Sequence, residues 1–175
     1  MFAALTLQQW SCNKKYYLVD IWAPLENYLD EANVGAEQQD ILFQKAQDVL
    51  QSWNDQTIFL KMKTTEAAQK IPNESVDYVY VDARHDYCGV AQDLEAYWPK
   101  LKAGGILAGH DFLTNSEVQA KTPEQDWSLC EDGTRDQRAV QGAVMDFAKE
   151  HHIQLLKTYH EEWPTWYARK PCASH

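Results

Sequence analysis

A chain of 175 residues is long enough for one domain with a substantial core and too short for two of ordinary size. Its 26 acidic and 16 basic residues leave a formal charge of -10, which repels nucleic-acid phosphates and anionic membrane surfaces. The sequence has neither an apolar run of membrane-spanning length nor a signal-peptide pattern, so we expect a cytoplasmic protein that binds neither nucleic acid nor membrane.

Strand-like and helix-like segments alternate along the chain, which is typical of α/β proteins. "KYYLVDIW", residues 15–22, predicts a short strand that ends at Asp20, and helical periodicity from Glu37 to Trp53 predicts an amphipathic helix. "TIFLKM" predicts the next strand and "TTEAAQK" a short helix. An aspartate after a strand either forms a turn or accepts hydrogen bonds from a ribose diol, and both interpretations of Asp20 stay open.

The rest of the chain continues the alternation. In chain order, the predicted elements are strand 76–82, helix 89–101, strand 105–112, helix 137–151 and strands near 153–159 and 165–169. Residues 114–136 have no clear periodicity, and we predict a mobile loop or lid. Residues 1–175 should form a single α/β domain with a mostly parallel sheet, helices on both faces and an antiparallel C-terminal strand pair.

Polar side chains follow the predicted strands at their carboxyl ends, where open parallel sheets bind ligands. Asp82, His110 and Asp111 form an oxygen-rich set that suits a divalent cation such as Mg²⁺ or Mn²⁺. His85 is a candidate general base, because an unperturbed pKa of about 6.5 allows proton uptake at neutral pH. Ordinary turn residues are the alternative for each position. A further alternative is a non-haem iron oxygenase with an iron site built from His85, His110 and one aspartate, although such sites usually occur on all-β folds.

The four cysteines, Cys12, Cys88, Cys130 and Cys172, are scattered and form no C-x-x-C pair. This spacing suggests neither a zinc site nor a redox motif. It predicts reduced thiols with structural roles.

The segment "VDYVYVDARHDYCGVAQDLEAYWPKLKAGGILAGHDF" resembles the class I S-adenosylmethionine (SAM) dependent methyltransferases. Within them it is similar to the small-molecule O-methyltransferase group called methyltransferase family 24. The resemblance extends to "YYLVDIW", "TTEAA", "AVQGAVMDFA" and "PTWYARKP", and so covers nearly the whole chain. It implies a Rossmann-like fold, SAM as cofactor, and methyl transfer to an oxygen of a small hydroxylated substrate.

The resemblance also implies roles for residues by their position. It places Asp20 at the ribose of SAM. The residues that it places near the adenine are Ile21, Thr64 and Thr65. Those that it places at a divalent metal are Asp82, His110 and Asp111. It places His85 where related enzymes carry the residue that deprotonates the substrate hydroxyl.

One part of the family pattern has no counterpart in this sequence. The first strand and its glycine-rich turn, which hold the methionine part of SAM, should precede the helix predicted at "MFAALTLQQW". We therefore expect an N-terminally incomplete domain whose affinity for SAM is weak or absent. The gap would be closed either by pairing of the strands that end at Asp20 and Asp82 or by a strand from a second copy in a homodimer. This departure also favours an alternative function, a non-catalytic binding protein with a methyltransferase fold.

Overall fold

The computed structural model describes residues 2–172, which contain six α-helices and six strands. The helices are α1 (Phe2–Gln9), α2 (Ala36–Leu50), α3 (Thr64–Ala68), α4 (Tyr87–Tyr97), α5 (Asn115–Lys121) and α6 (Ala139–Glu150). The strands are β1 (Tyr16–Asp20), β2 (Thr57–Lys61), β3 (Val76–Val81), β4 (Leu101–Gly109), β5 (Leu155–Lys157) and β6 (Trp166–Arg169). No helix in this part of the chain is long and apolar enough to cross a membrane.

These elements form two compact units. The first contains the residues up to Leu25 together with Ala32–Ala67. In it, β1 and β2 pair in parallel, with Asp20 opposite Lys61. Phe43 of α2 packs against this pair. Its ring lies 4.6 Å from the ring of Trp22, just after β1, and 5.8 Å from the ring of Phe59 on β2. Aromatic contacts therefore hold α2 on the two strands.

The second unit contains Glu26–Glu31 and the chain from Ala68 onward, and its sheet has the strand order β3-β4-β6-β5. Strands β3 and β4 are parallel, whereas β6 is antiparallel to both β4 and β5. Helices α4 and α6 pack together and bury Leu94 and Val144 almost completely. The predicted α/β fold with an antiparallel C-terminal strand pair is therefore confirmed.

Gly109, the last residue of β4, lies between Val81 of β3 and Trp166 of β6. A Cβ atom at this position would lie 2.5 Å from the carbonyl oxygen of Val81 on β3 and 2.5 Å from the indole ring of Trp166 on β6. Real Cβ atoms do not approach a backbone oxygen so closely, so this position requires glycine. The close packing fixes the direction in which the chain leaves β4.

Two expectations about the chain path need correction. Strand β1 pairs with β2 and, within residues 2–172, not with β3, so the predicted pairing of the strands that end at Asp20 and Asp82 is wrong. The predicted loop at 114–136 contains helix α5, which Thr114 and Glu117 begin with a capping box. In that arrangement each of the two side chains accepts the backbone N–H of the other residue, which is the geometry that a T-x-x-E pattern indicates. The mobility of 114–136 stays a prediction.

The expectation of reduced thiols is wrong for Cys88 and Cys130, which form a disulfide across 42 residues of sequence. Their Cα atoms lie 5.7 Å apart because the start of α4 and the loop after α5 meet in the fold, which no local spacing pattern reveals. Cys12 and Cys172 are free and exposed. Disulfides persist mainly in oxidising compartments, so this bond counts against the cytoplasmic location, which stays a prediction.

Candidate active site

The carboxyl ends of β3 and β4 bring the predicted metal residues together. Val81 pairs with Gly109 in the parallel ladder, so Asp82 and the His110-Asp111 pair leave the sheet side by side. One ligand atom from each of Asp82, His110 and Asp111 can be chosen so that all lie within 4.8 Å of one another. Two carboxylates and an imidazole at this spacing fit a divalent cation, and metal binding itself stays a prediction.

Asp111 turns back toward this cluster. Its φ of +59° lies in the left-handed region, which aspartate tolerates better than most residues. Its side chain is 11% exposed, and its Oδ1 atom lies 2.8 Å from Nδ1 of His110. Burial raises the pKa of Asp111, the two nearby histidines lower it, and the carboxylates of Asp82 and Asp30 raise it further. A cation bound here would relieve this repulsion among carboxylates.

His85 lies against the same carboxylates. Its Nε2 atom is 3.3 Å from Oδ2 of Asp111 and 3.6 Å from Oδ1 of Asp82. Nε2 is buried, yet it has no hydrogen bond of good geometry to any described residue. Burial lowers the pKa of His85, but the carboxylates of Asp30, Asp82 and Asp111 outweigh burial and raise it from 6.5 to about 9. At a pKa of about 9 the imidazole is protonated at neutral pH, whereas a general base must be neutral.

Three buried residues that the sequence analysis missed surround the imidazole of His85. Asp30, whose side chain is 3% exposed, lies with Oδ2 3.0 Å from Nδ1 of His85 and accepts a 2.8 Å hydrogen bond from the indole N–H of Trp127. The hydroxyl of Tyr28 lies 3.1 Å from the same Nδ1. The rings of Trp127 and His85 are 4.3 Å apart. No sequence signal marks these residues, because they come from irregular segments far from His85 along the chain.

Arg84 and Asp86 flank His85 and have structural roles. Nε of Arg84 lies 2.6 Å from Oδ2 of Asp86, whose other oxygen accepts the N–H of Gly89 and so caps the start of α4. The guanidinium of Arg84 also lies 4.9 Å from the ring centre of Tyr28. Because the aspartate is fully buried, this pair fixes the turn that carries His85.

The predicted cofactor residues lie together in the first unit. Asp20 and Ile21 follow β1, while Thr64 and Thr65 begin α3, just after β2. Because β1 and β2 are parallel, both pairs lie at the carboxyl end of this sheet. Oδ1 of Asp20 accepts the N–H of Trp22 at 2.8 Å, as a turn residue does. Contact with a ribose stays a prediction, and no glycine-rich turn follows a strand in this unit within the described residues.

Comparison with solved structures shows which fold this is. An O-methyltransferase family protein from Burkholderia thailandensis superposes with a TM-score of 0.62 at 8% identity, over 99% of this chain and 48% of that one. A protein from Corynebacterium glutamicum gives 0.55 at 13% identity, over 92% of this chain and 62% of that one. The N-methyltransferase NodS from Bradyrhizobium japonicum gives 0.52 at 11% identity, over 90% and 74%. The predicted Rossmann-like fold is thereby confirmed, and the chain spans 48% to 62% of the length of the first two proteins.

Comparison at the level of sequence gives the family. No curated protein matches the chain significantly. The family model described as a methyltransferase domain, family 24, matches residues 1–112. That match covers more than half of the 175 residues and agrees with the resemblance seen in the strand-end motifs. The chain therefore belongs to this family of methyltransferase domains.

Proposed function

We propose that the chain acts as a SAM-dependent methyltransferase that methylates an oxygen of a small hydroxylated substrate with the help of a divalent metal. The observation that supports this most strongly is the convergence of Asp82, His110, Asp111 and His85 at one edge of the sheet in a chain of this family. Carboxylates beside a histidine are the groups that metal-assisted deprotonation of a hydroxyl requires.

The residues of the site would have separate roles. Asp82, His110 and Asp111 would hold Mg²⁺ or Mn²⁺, which would supply a Lewis acid for the substrate oxygen, while SAM would supply the methyl group. His85, in its neutral form, would accept the hydroxyl proton at Nε2, the ring nitrogen that faces the acidic cluster. A cation on Asp82 and Asp111 would favour that neutral form, because it would offset the carboxylate charges that raise the pKa of His85. Trp127 packs against the imidazole, with the two ring centres 4.3 Å apart. The main contribution of the protein would be to hold the reacting groups in line.

Removal of the proposed base tests this function. We expect His85→Ala to lower methyl transfer from labelled SAM to a panel of phenols and catechols by a factor of roughly 10² to 10⁴. Affinity for SAM should change little, because His85 is not among the predicted cofactor residues. The matched control is His152→Asn, which replaces an exposed histidine whose φ of +53° asparagine tolerates. Equal turnover by wild type and His85→Ala would exclude His85 as the base.

The absence of a glycine-rich turn favours a second candidate, a non-catalytic protein that keeps the fold and binds no SAM. Calorimetric titration with S-adenosylhomocysteine separates the two candidates. Heat of binding together with turnover would support the enzyme. The absence of both binding heat and turnover would support the non-catalytic protein. Light scattering tests the proposed homodimer, in which a strand from a second copy would pair with β3, whose only strand partner among the described residues is β4.

A further inference from the structure

We infer that the disulfide between Cys88 and Cys130 is a redox site, at which a dithiol reductant releases the loop, residues 122–136, that holds Trp127 against His85. The exchange at the two sulfur atoms goes beyond the proposed function and does not depend on it. Only its effect on methyl transfer rests on that function. The position of the bond, the exposure of one cysteine and the packing of the loop support the inference.

The disulfide joins the two segments that carry His85 and Trp127. Cys88 follows His85 by three residues, at the start of α4, and Cys130 follows Trp127 by three residues, in the loop after α5. The rings of His85 and Trp127 are 4.3 Å apart, and the Cα atoms of the two cysteines are 5.7 Å apart. The ring contact and the covalent bond are therefore neighbouring links between the loop and the turn that carries His85.

The two cysteines differ in exposure. Cys130 is 1% exposed, whereas Cys88 is partly exposed and lines a cleft of about 250 Å³. A thiolate from solution therefore meets Cys88 first. Cys88 is also the second residue of α4, and Arg84 lines the same cleft, so the helix N-terminus and a guanidinium favour a thiolate at this position. Exposed disulfides are more easily reduced than buried ones.

The exchange balances with a dithiol as the co-reactant. One thiolate of the dithiol attacks the sulfur of Cys88, the bond between the cysteines breaks, and its electron pair passes to the sulfur of Cys130, which takes up a proton from solvent. The second thiolate of the dithiol then attacks the first, expels Cys88 as a thiolate and leaves as the oxidised dithiol. Two electrons reach the protein, and the reverse steps restore the bond.

The surroundings of the bond select this class of reductant. After the first step Cys130 lies next to the mixed disulfide and can expel a monothiol by attacking Cys88, whereas the second thiol of a dithiol competes with that reversal. Glu131 and Asp132 also line the cleft and repel glutathione, which is an anion. A dithiol of low net charge therefore suits the site better than glutathione.

The loop lacks regular structure that would hold it without the disulfide. It contains isolated β-bridges but no helix or strand. The backbone N–H of Trp127 donates to the side chain of Asn115 at 2.8 Å, and that of Asp126 to the carbonyl oxygen of Leu29 at 3.0 Å. Separate hydrogen bonds of this kind open locally, whereas a covalent bond does not. Reduction should therefore let the loop open while the sheet stays folded.

Release of the loop would act on the proposed active site. The indole of Trp127 would withdraw from the ring of His85, and its N–H from Oδ2 of Asp30, 2.8 Å away. His85 would lose packing that fixes the direction of its ring, while β3 and β4 would keep the strand-end carboxylates in place. The oxidised protein should therefore be the more active form.

The first experiment asks which sulfur is attacked. All proteins are full chains that carry Cys12→Ala and Cys172→Ala, which remove two exposed free thiols. Adding Cys130→Ala or Cys88→Ala leaves a single thiol in the folded protein. We expect iodoacetamide to alkylate Cys88 at least roughly 10-fold faster than Cys130. Equal rates or the opposite order would overturn the inference.

The second experiment follows reduction of the intact disulfide by dithiothreitol, using alkylation and mass spectrometry. The rate should be proportional to the dithiothreitol concentration and nearly unchanged by about 1 M urea, and glutathione at equal thiolate concentration should leave most of the bond intact. A rate that levels off with dithiothreitol or rises steeply with urea would show that the bond is reached only after unfolding, and would also overturn the inference.

The third experiment compares hydrogen exchange and methyl transfer in the oxidised, reduced and reoxidised protein. Backbone amides of residues 126–136 should gain at least roughly 10-fold more in exchange rate on reduction than those of α2, and turnover should fall by roughly 10-fold and return on reoxidation. Equal acceleration in α2, or equal turnover in the oxidised and reduced forms, would contradict control of the site by the disulfide. Release of the loop without turnover in any form would support the redox site and contradict the proposed function, so the two failures can be told apart.

Discussion

Reduction of the disulfide between Cys88 and Cys130 should destabilise the protein measurably. The cross-link closes a loop of 42 residues, and closing a loop of that size removes chain entropy from the unfolded state worth roughly 4 kcal/mol. Folded proteins are stable by about 5–15 kcal/mol, so this bond would supply a large part of the total. Its removal should also loosen the segment around Trp127, which lies three residues before Cys130.

Urea unfolding, followed by circular dichroism with and without a reducing agent, measures the effect. With a slope of about 2 kcal/mol/M, the loss of about 4 kcal/mol should lower the unfolding midpoint by about 2 M. The double variant Cys88→Ala/Cys130→Ala should match the reduced protein. The control, Cys12→Ala/Cys172→Ala, removes the two exposed free thiols and should still respond to the reducing agent. A midpoint that does not change on reduction would refute the reasoning from loop entropy.

The remaining predictions concern the packing, charge and metal of the site. Gly109→Ala should lower the free energy of unfolding in urea by about 3 kcal/mol, because the backbone oxygen of Val81 cannot move aside. The control, Gly35→Ala, has no atom within 4 Å of the new Cβ and should lower it by less than about 1 kcal/mol. Equal losses would contradict the close packing at Gly109. The folded-state pKa of His85, about 9, exceeds its ordinary 6.5. Its stabilisation of the metal-free protein, about 3 kcal/mol, should therefore be complete below about pH 6.5 and lost as the pH rises through about 9. Urea unfolding at both extremes should show this loss in wild type and not in His85→Ala. Titration calorimetry with Mg²⁺ and Mn²⁺ should give heat of binding in the wild type and none in Asp111→Asn. The control, Asp77→Asn, lies at the exposed far end of β3 and should bind like the wild type. Identical isotherms for the wild type and both variants would exclude the metal site.

The grouping of the strand-end residues could be predicted because it depends only on strand direction. Parallel neighbours must present their carboxyl ends at one edge, so identifying β3 and β4 was enough to bring Asp82, His110 and Asp111 together. The helix at α5 was also predictable, since Thr114 and Glu117 form a capping box that the acidic, aperiodic surroundings obscured.

The residues behind His85 could not be predicted. Asp30 lies 55 residues before His85 and 97 before Trp127, and nothing within its own segment distinguishes it from a surface aspartate. Its role comes entirely from tertiary packing, which a pattern of local periodicity does not encode. The same reason hides the disulfide, because β4 and α5 separate its two cysteines along the chain.

The segment Glu26–Glu31 has a practical consequence for dissecting the protein. It packs with the second unit, while the residues on both sides of it belong to the first. The chain therefore passes between the units three times, near residues 25, 31 and 67, and no single cut yields two complete pieces. A fragment that starts at Ala68 would retain the strand-end carboxylates and His85 but lose Tyr28 and Asp30, so proteolytic or cloned halves would report on a different imidazole environment from that of the intact chain.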